Sequence, residues 1–338
     1  MRWVVAAPGA SFSVLDVHRG WVEALTELGQ KVIDFRLDER IIFYGSVLKE
    51  IREGTFARAL TPEQAYELAV NGLYAALYKA RPDVLLVISG FFIPTELLDR
   101  ARRSGTRVVL VCTEQPYEAP RELKLAEYAD LTLLNDPTHL TKFPGATMYV
   151  PHSYRPSVHH PGAAVPDLEC DLAFVGTGYD SRVDFFQRMD LTDLDVLLAG
   201  NWPTVDEESE LYPFLAHGPD ECLDNASTAN VYRSARVGLN LYRREAQAPD
   251  LVAGWAMGPR EVEMAACQLP FLRDPRPEGD ELLPMLPTFS SPEEASELLR
   301  WWLANPDARA DAALKAREAI ADRTFTHHAA GVLRLLDQ

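Results

Sequence analysis

The 338-residue sequence is poor in cysteine, with only Cys112, Cys170, Cys222 and Cys267, widely separated and without a CxxC or other metal spacing. A disulfide scaffold and a zinc ribbon are excluded, and reduced, mostly buried thiols in a cytosolic protein are the expectation. No apolar run approaches the ~20 residues of a membrane span. The opening MRWVVAAPGA is too short for a signal peptide and reads as a first core strand. GxGxxG is missing, so a dinucleotide fingerprint is unsupported. HExxH is missing too, and no metal site is expected. Positive charge is in short supply, with 33 Lys and Arg against 50 Asp and Glu and a formal net charge of −17. Such a surface repels nucleic acid and anionic membrane, although a local basic pocket for a nucleotide remains compatible with it. Repeats and low-complexity tracts are not apparent.

What is present is an ordinary globular mixture, 47% hydrophobic and 25% charged, long enough for two domains. Arg2–Ala7 reads as a buried strand, Asp16–Gly29 as a helix with Val17, Trp21, Leu25 and Leu28 on one face, and Lys31–Arg36 as a second strand. Pro62–Ala80 is helical. Val84–Ser89 (VLLVIS) and Arg107–Cys112 (RVVLVC) are apolar throughout, as strands of a parallel sheet are. Thr95–Ser104 reads as the helix between them and Leu131–Leu134 as a further strand. In such sheets ligands sit outside the carboxyl ends of the strands, which here carry Pro8–Ser11, Gly90–Phe92 and Glu114–Pro116.

Tyr154–Asp167, with Pro156, Pro161, Gly162 and Pro166, reads as a linker, after which the pattern restarts. Strands are expected at Cys170–Val175, Asp195–Ala199 and Val237–Leu241, and helices at Ser181–Met189, Pro292–Ala304, Ala308–Arg323 and His328–Leu336. This gives an α/β chain of two doubly wound, Rossmann-like domains. Residues 1–155 form the first and 168–323 the second, with 324–338 a terminal helix.

Gly254–Asp274 (GWAMGPREVEMAACQLPFLRD) reads as a loop, a helix from about Arg260 to Cys267, and a short strand at Phe271. Such a unit aims backbone N–H groups and the positive end of a helix dipole at whatever precedes it. Arg260 adds a guanidinium suited to phosphate. Glu263, one turn in, can accept hydrogen bonds from paired hydroxyls such as a ribose presents. The plainer alternative is a helix start in which Arg260 pairs with Glu263 or Glu261. Gly176-Thr177-Gly178 after a strand, with Arg182 in the next helical turn, can cradle phosphate or can be a tight turn with a surface arginine. Asn240 ends a strand and faces the cleft, or is a hydrogen-bonded strand end. Trp202 can stack on a base or sugar, or belong to the core.

The run EMAACQLPFL (Glu263–Leu272) resembles the E-A-x-A-C-G-x-P segment of GT-B glycosyltransferases. With Arg260 three residues earlier it is most similar to the CgeB-type (spore maturation protein) enzymes. Phe174-Val175-Gly176-Thr177 with Arg182, Gly200-Asn201-Trp202, Val237–Asn240 and Thr324–His327 resemble further segments of that family. Gln268 replaces the family's glycine after cysteine. Trp255 stands where other GT-B enzymes carry the first of two glutamates. The resemblance implies two domains facing a cleft, with the last helix crossing back to the first domain. It implies a donor site at Gly176, Thr177, Arg182, Asn201, Trp202, Asn240, Arg260 and Glu263, with Glu263 on the ribose.

The implied reaction is metal-independent transfer of a sugar from a nucleotide-sugar, a UDP-sugar being the expected co-substrate, to a hydroxyl acceptor that is protein, glycan or small molecule. No other cofactor is expected. On the acceptor side His18 is a candidate general base or a solvated helix-face histidine. Asp16 is a candidate catalytic group or an N-cap. Glu114 is a candidate base or hydroxyl ligand, or a turn cap. Two alternatives stand beside the transferase: a non-catalytic nucleotide- or sugar-binding module, and a glycosyltransferase acting on a modified nucleic-acid base, against which the acidic charge counts.

Overall fold

The computed structural model describes residues 1–9, 14–53, 60–245 and 253–337, without the side chains of 47–53. The chain divides into two compact units, Met1–Pro151 with Phe325–Gln338, and His152–Thr324. The first begins β1 (Arg2–Ala6), α1 (Leu15–Glu27), β2 (Lys31–Phe35), α2 (Leu37–Glu53), α3 (Pro62–Ala80) and β3 (Val84–Ile88). It continues with α4 (Thr95–Arg103), β4 (Arg107–Cys112), α5 (Ala119–Ala126), β5 (Leu131–Leu134) and β6 (Ala146–Tyr149). The strands form one sheet in the order β2-β1-β3-β4-β5-β6, every pair parallel.

Alternate residues of the apolar strands face opposite sides of this sheet. Val4, Leu85, Val87 and Leu110 meet Leu73, Leu97 and Leu98 on one face. Trp3, Val5, Leu86, Ile88 and Val109 meet Trp21 and Leu25 of α1 on the other. The all-apolar runs are therefore strands covered on both faces. Helix α3 is fixed at its start by a capping box, in which Thr61 accepts from the Gln64 N–H at 3.3 Å and Gln64 accepts from the Thr61 N–H at 2.8 Å.

The second unit holds β7 (Cys170–Val175), α6 (Asp180–Arg188), β8 (Val196–Ala199), α7 (Asn225–Ser234), β9 (Ala235–Asn240) and α8 (Pro259–Ala266). After these come β10 (Phe271–Arg273), α9 (Pro277–Leu282), α10 (Pro292–Ala304) and α11 (Pro306–Ala319). Its parallel sheet has the order β10-β9-β7-β8. The proline-rich stretch expected to link the domains is bound to this unit. Tyr154 N–H donates to Arg323 O at 2.9 Å, Arg233 to Val158 O at 3.1 Å, and Val165 N–H to Ser234 at 2.9 Å.

The final helix, α12 (Phe325–Leu336), belongs to the first unit and lies along α1. Phe325 packs edge-to-face on Trp21 at 6.4 Å, and Thr326 bonds Glu27 at 2.7 Å. No helix among the described residues is long and apolar enough to cross a membrane. The four cysteines are free, Cys222 alone being exposed.

Candidate functional site

In the second unit the chain leaves β7 for β8 on one side and later returns to β9 on the other. The switch point of the sheet therefore lies between the carboxyl ends of β7 and β9, where open α/β sheets bind ligands. The loop after β7 is Gly176–Tyr179. It packs directly on the loop after β8. A Cβ on Gly178 would stand 2.3 Å from the Trp202 ring, and one on Gly200 would stand 2.4 Å from the Gly176 carbonyl oxygen. Gly200 also has φ of 111°. Gly176 N–H donates to Ala199 O at 2.9 Å, and Gly178 N–H to Asn201 O at 2.7 Å. The glycines thus serve loop-on-loop packing. The two N–H groups expected to cradle an anion are spent on neighbouring carbonyls.

Trp202 differs from its expected role as a stacking platform. It is fully buried, edge-on to Phe174 and Phe186 at 5.8 Å each. With no exposed surface it stacks on no ligand and instead supports the loop pair. Arg182 also holds the fold together. It donates to Thr177 O at 2.8 Å and to Leu241 O, tying the ends of β7 and β9 across the switch point. Its guanidinium lies over the Phe174 and Tyr179 rings at 5.2 and 5.1 Å. Asn201 Oδ1 and Asn240 Nδ2, at the ends of β8 and β9, are buried with no hydrogen-bond partner among the described residues. Unmet amide groups at a sheet's carboxyl edge are what a polar ligand would complete.

Helix α8 starts at Pro259 after Gly258. Glu261, three residues past the cap, turns back to accept the Gly258 N–H at 2.7 Å and also meets the Tyr242 hydroxyl. Burial raises the Glu261 carboxyl to about 7, against the pull of those two donors and of Arg273. Glu263 is buried and ion-paired to Arg260 at 2.7 Å, and Asn225 lies 3.4 Å from its other oxygen. The sequence alternative in which Arg260 pairs with Glu263 is therefore realised. The loop before α8 is anchored from the β10–α9 turn. Arg276 donates to Gly254 O at 2.6 Å, Met257 N–H to Glu278 at 2.6 Å, and Glu278 pairs with Arg323 at 2.6 Å.

Gln268 occupies the family's glycine position, with φ of 63°. Its N–H donates to Ala265 O at 3.0 Å and the next N–H, of Leu269, to Met264 O at 2.9 Å. These two bonds make a Schellman stop. The left-handed residue there ends the helix, which accounts for a glycine preference without a ligand.

In the first unit the three acceptor-side candidates separate. His18 has no exposed surface. Its Nε2 lies 3.2 Å from Asp34 Oδ1 and 3.4 Å from Val5 O. It is a core histidine joining α1 to β1 and β2, so neither a solvated site nor a base within reach of an acceptor describes it. Burial would raise the Asp34 carboxyl, but the His18 hydrogen bond and neighbouring positive charges hold it below its ordinary value. Asp16 is not the N-cap, which is Val14. It sits buried in the first turn, where the helix dipole favours a carboxylate. Glu114 follows β4, with its N–H donated to Glu122 Oε1 at 3.1 Å. Part of the loop before α1, residues 10–13, lies outside the described residues.

Tyr242, Glu278 and Glu122 were not singled out in the sequence, and Glu261 entered only as a possible partner of Arg260. Only Glu261 had a local signal, a glutamate three residues after a helix cap.

Residues 182–334 match a family model described as glycosyl transferase-like. A protein from E. coli described as trehalose-6-phosphate bound with UDP-2-fluoro glucose is 13% identical, with a TM-score of 0.62 over 100% of this chain and 99% of that one. HepE of Anabaena in complex with UDP is 10% identical, with a TM-score of 0.63 over the whole of both chains. A putative UDP-N-acetylglucosamine 2-epimerase from Listeria monocytogenes is 14% identical, with a TM-score of 0.60 over 98% and 94%. No curated protein matches the sequence. These likenesses show the fold, an α/β chain with two parallel sheets. The same fold is found in a putative epimerase as well as in UDP-bound proteins, and the family model covers the carboxyl-terminal part of the chain.

Proposed function

We propose that this chain is a glycosyltransferase of the CgeB type that takes a UDP-sugar at the carboxyl edge of its second sheet. In this reading Glu263 accepts the ribose hydroxyls and Arg260 faces the diphosphate. The observation that carries it is the Arg260–Glu263 pair at the start of α8. The pairing orients the carboxylate, as a diol acceptor must be. A guanidinium has five donors, so Arg260 can hold Glu263 and a phosphate oxygen together. Charge accumulates on the diphosphate as the glycosidic bond breaks, and a fixed cation at a helix start stabilises that state more than the ground state. No metal is required. Asn240 and Asn201 have amide atoms suited to base or sugar. Arg182, Gly176 and Thr177 support the site from behind, as does Trp202. Of the acceptor-side candidates, Glu114 fits a hydroxyl ligand or base, while Asp16 and His18 support its domain.

The test is calorimetric titration with UDP, GDP, ADP, dTDP and their sugars, followed by assay of nucleoside diphosphate release with EDTA present. Glu263→Ala should lower donor affinity at least tenfold, about 1.4 kcal/mol or more, with the fold intact by circular dichroism. Unchanged affinity refutes the assignment. Donor binding without diphosphate release, with or without acceptors, would favour a non-catalytic binding module.

A further inference from the structure

The first unit carries a buried acid that the transfer chemistry does not use. Glu122, on α5, has no exposed surface. Its Oε1 accepts two successive backbone N–H groups, Thr113 at 3.0 Å and Glu114 at 3.1 Å. Its Oε2 is buried and meets no donor among the described residues. The amide of Gln115, only 5% exposed, stands beside the same carboxyl without closing a hydrogen bond among the described residues. The loop so held leaves the carboxyl end of β4. At its root the Thr113 hydroxyl bonds Ser89, the residue after β3, at 2.7 Å. Ser89 has φ of 56°, a conformation that non-glycine residues adopt at a cost of order 1–3 kcal/mol. A strained residue and a doubly held loop meet at the edge where sheets of this kind present their functional groups.

We propose that Glu122 is a positioning residue for transfer, fixing the Thr113–Tyr117 loop and through it the Glu114 carboxylate on the acceptor side. This rests on the transferase reading above. The strut works in its neutral form. One oxygen takes both N–H groups and the other carries the proton, so no net charge is buried. A bare carboxylate there would leave an oxygen undonated in the interior, which costs several kcal/mol. Burial, and then the charge of Glu114, hold the Glu122 carboxyl up at about 8 against the Thr113 and Glu114 N–H donors. The titratable groups facing it are Glu114 in the loop and the Cys112 thiol of β4, itself raised by burial and by Glu122. As pH climbs past that value the buried charge is relieved by releasing the loop, and Glu114 loses its register.

Glu122→Gln retains a carbonyl oxygen for both N–H groups and cannot ionise, whereas Glu122→Ala removes the strut. Turnover with a saturating nucleotide-sugar is measured from about pH 6 to about pH 9.5 for the full chain and both variants. The wild type should lose about fivefold or more in kcat through a single alkaline step near that ionisation. Glu122→Gln should match it at neutral pH within about twofold and lack the step. Glu122→Ala should lose about tenfold in kcat with donor KM within about twofold, because the donor is held by the other unit. An alkaline step retained in Glu122→Gln, or full turnover in Glu122→Ala, overturns the proposal. Hydrogen exchange of the Thr113 and Glu114 amides is read in parallel. Protection lost in Glu122→Ala and kept in Glu122→Gln supports the strut; protection unchanged in Glu122→Ala overturns it. If no nucleotide-sugar is turned over by the wild type, the transferase reading fails and the proposed role in transfer fails with it, whereas the exchange result still decides whether Glu122 holds the loop.

Discussion

Gln268→Gly should make the protein more stable, an uncommon direction for a substitution at a helix end. Gln268 lies in the left-handed region at φ of 63°. An L-residue pays roughly 1–2 kcal/mol for that conformation. Glycine pays nothing there but brings a more disordered unfolded chain, a cost of about 0.4–1 kcal/mol. The difference leaves a net gain of roughly 0.5–1 kcal/mol, since the two Schellman hydrogen bonds come from backbone and survive the change. For a domain of this size, each kcal/mol moves Tm by about 2–4 °C, so a rise of about 1–4 °C is expected in calorimetry. Donor affinity should stay put, because the position stops α8 and touches no ligand in this account. A Tm that falls or stays level would refute the helix-stop argument. A tighter donor Kd without a change in Tm would mean instead that glycine is wanted for close approach to the nucleotide.

Gly200→Ala should be severe: its methyl would stand 2.4 Å from a backbone oxygen at φ of 111°. Strain and overpacking together cost roughly 2–5 kcal/mol. Gly29→Ala, at φ of 73° with nothing within 4 Å, should cost only the strain; equal losses in urea melts would refute the loop-on-loop reading. Arg182→Lys keeps the charge but loses the planar fork joining Thr177 O to Leu241 O, and should cost about 1–3 kcal/mol; an unchanged melt counts against the clamp. His152 is held neutral by burial, with the Arg323 charge adding to it, its folded value falling from 6.5 to about 4. Its contribution is full above pH 6.5 and is lost as pH falls toward 4, at about 1.4 kcal/mol per unit. His152→Gln should flatten that acid slope in pH-dependent unfolding, and an unflattened slope would contradict it.

The strands were legible because burial on both faces of a parallel sheet leaves little room for polar residues, as in VLLVI and RVVLVC. Helix α3 was legible to its ends, since Thr61, Pro62 and Gln64 spell out its start. Helices α2 and α7 were not anticipated. In α2 the apolar residues are contiguous rather than periodic, and Ile42 and Phe43 are exposed. In α7 small and polar residues dominate, and the helix is set by the Asp224 cap and by packing. Among site candidates, Asn240 lies at the end of β9 and Glu263 one turn into α8, the positions read from motif and register. His18 was misjudged because burial against Asp34 of β2 is a tertiary fact that no local spacing encodes. For Trp202 and the glycines of the β7–α6 loop the sequence left core and ligand readings open for a related reason: both partners of each contact lie on separate loops.

The first unit is assembled from two stretches of chain separated by the whole of the second. Helix α12 supplies Phe325, Ala329 and Val332 to the core beside Trp21 and Leu25. During synthesis on the ribosome the second unit therefore has every residue it needs while the first is still missing a wall. Until the region near residue 330 emerges, α1 presents an uncovered apolar stripe, the kind of surface that recruits chaperones or neighbouring nascent chains. Expression fragments cut after residue 151 would inherit that exposure permanently, whereas a fragment spanning 152–324 would not.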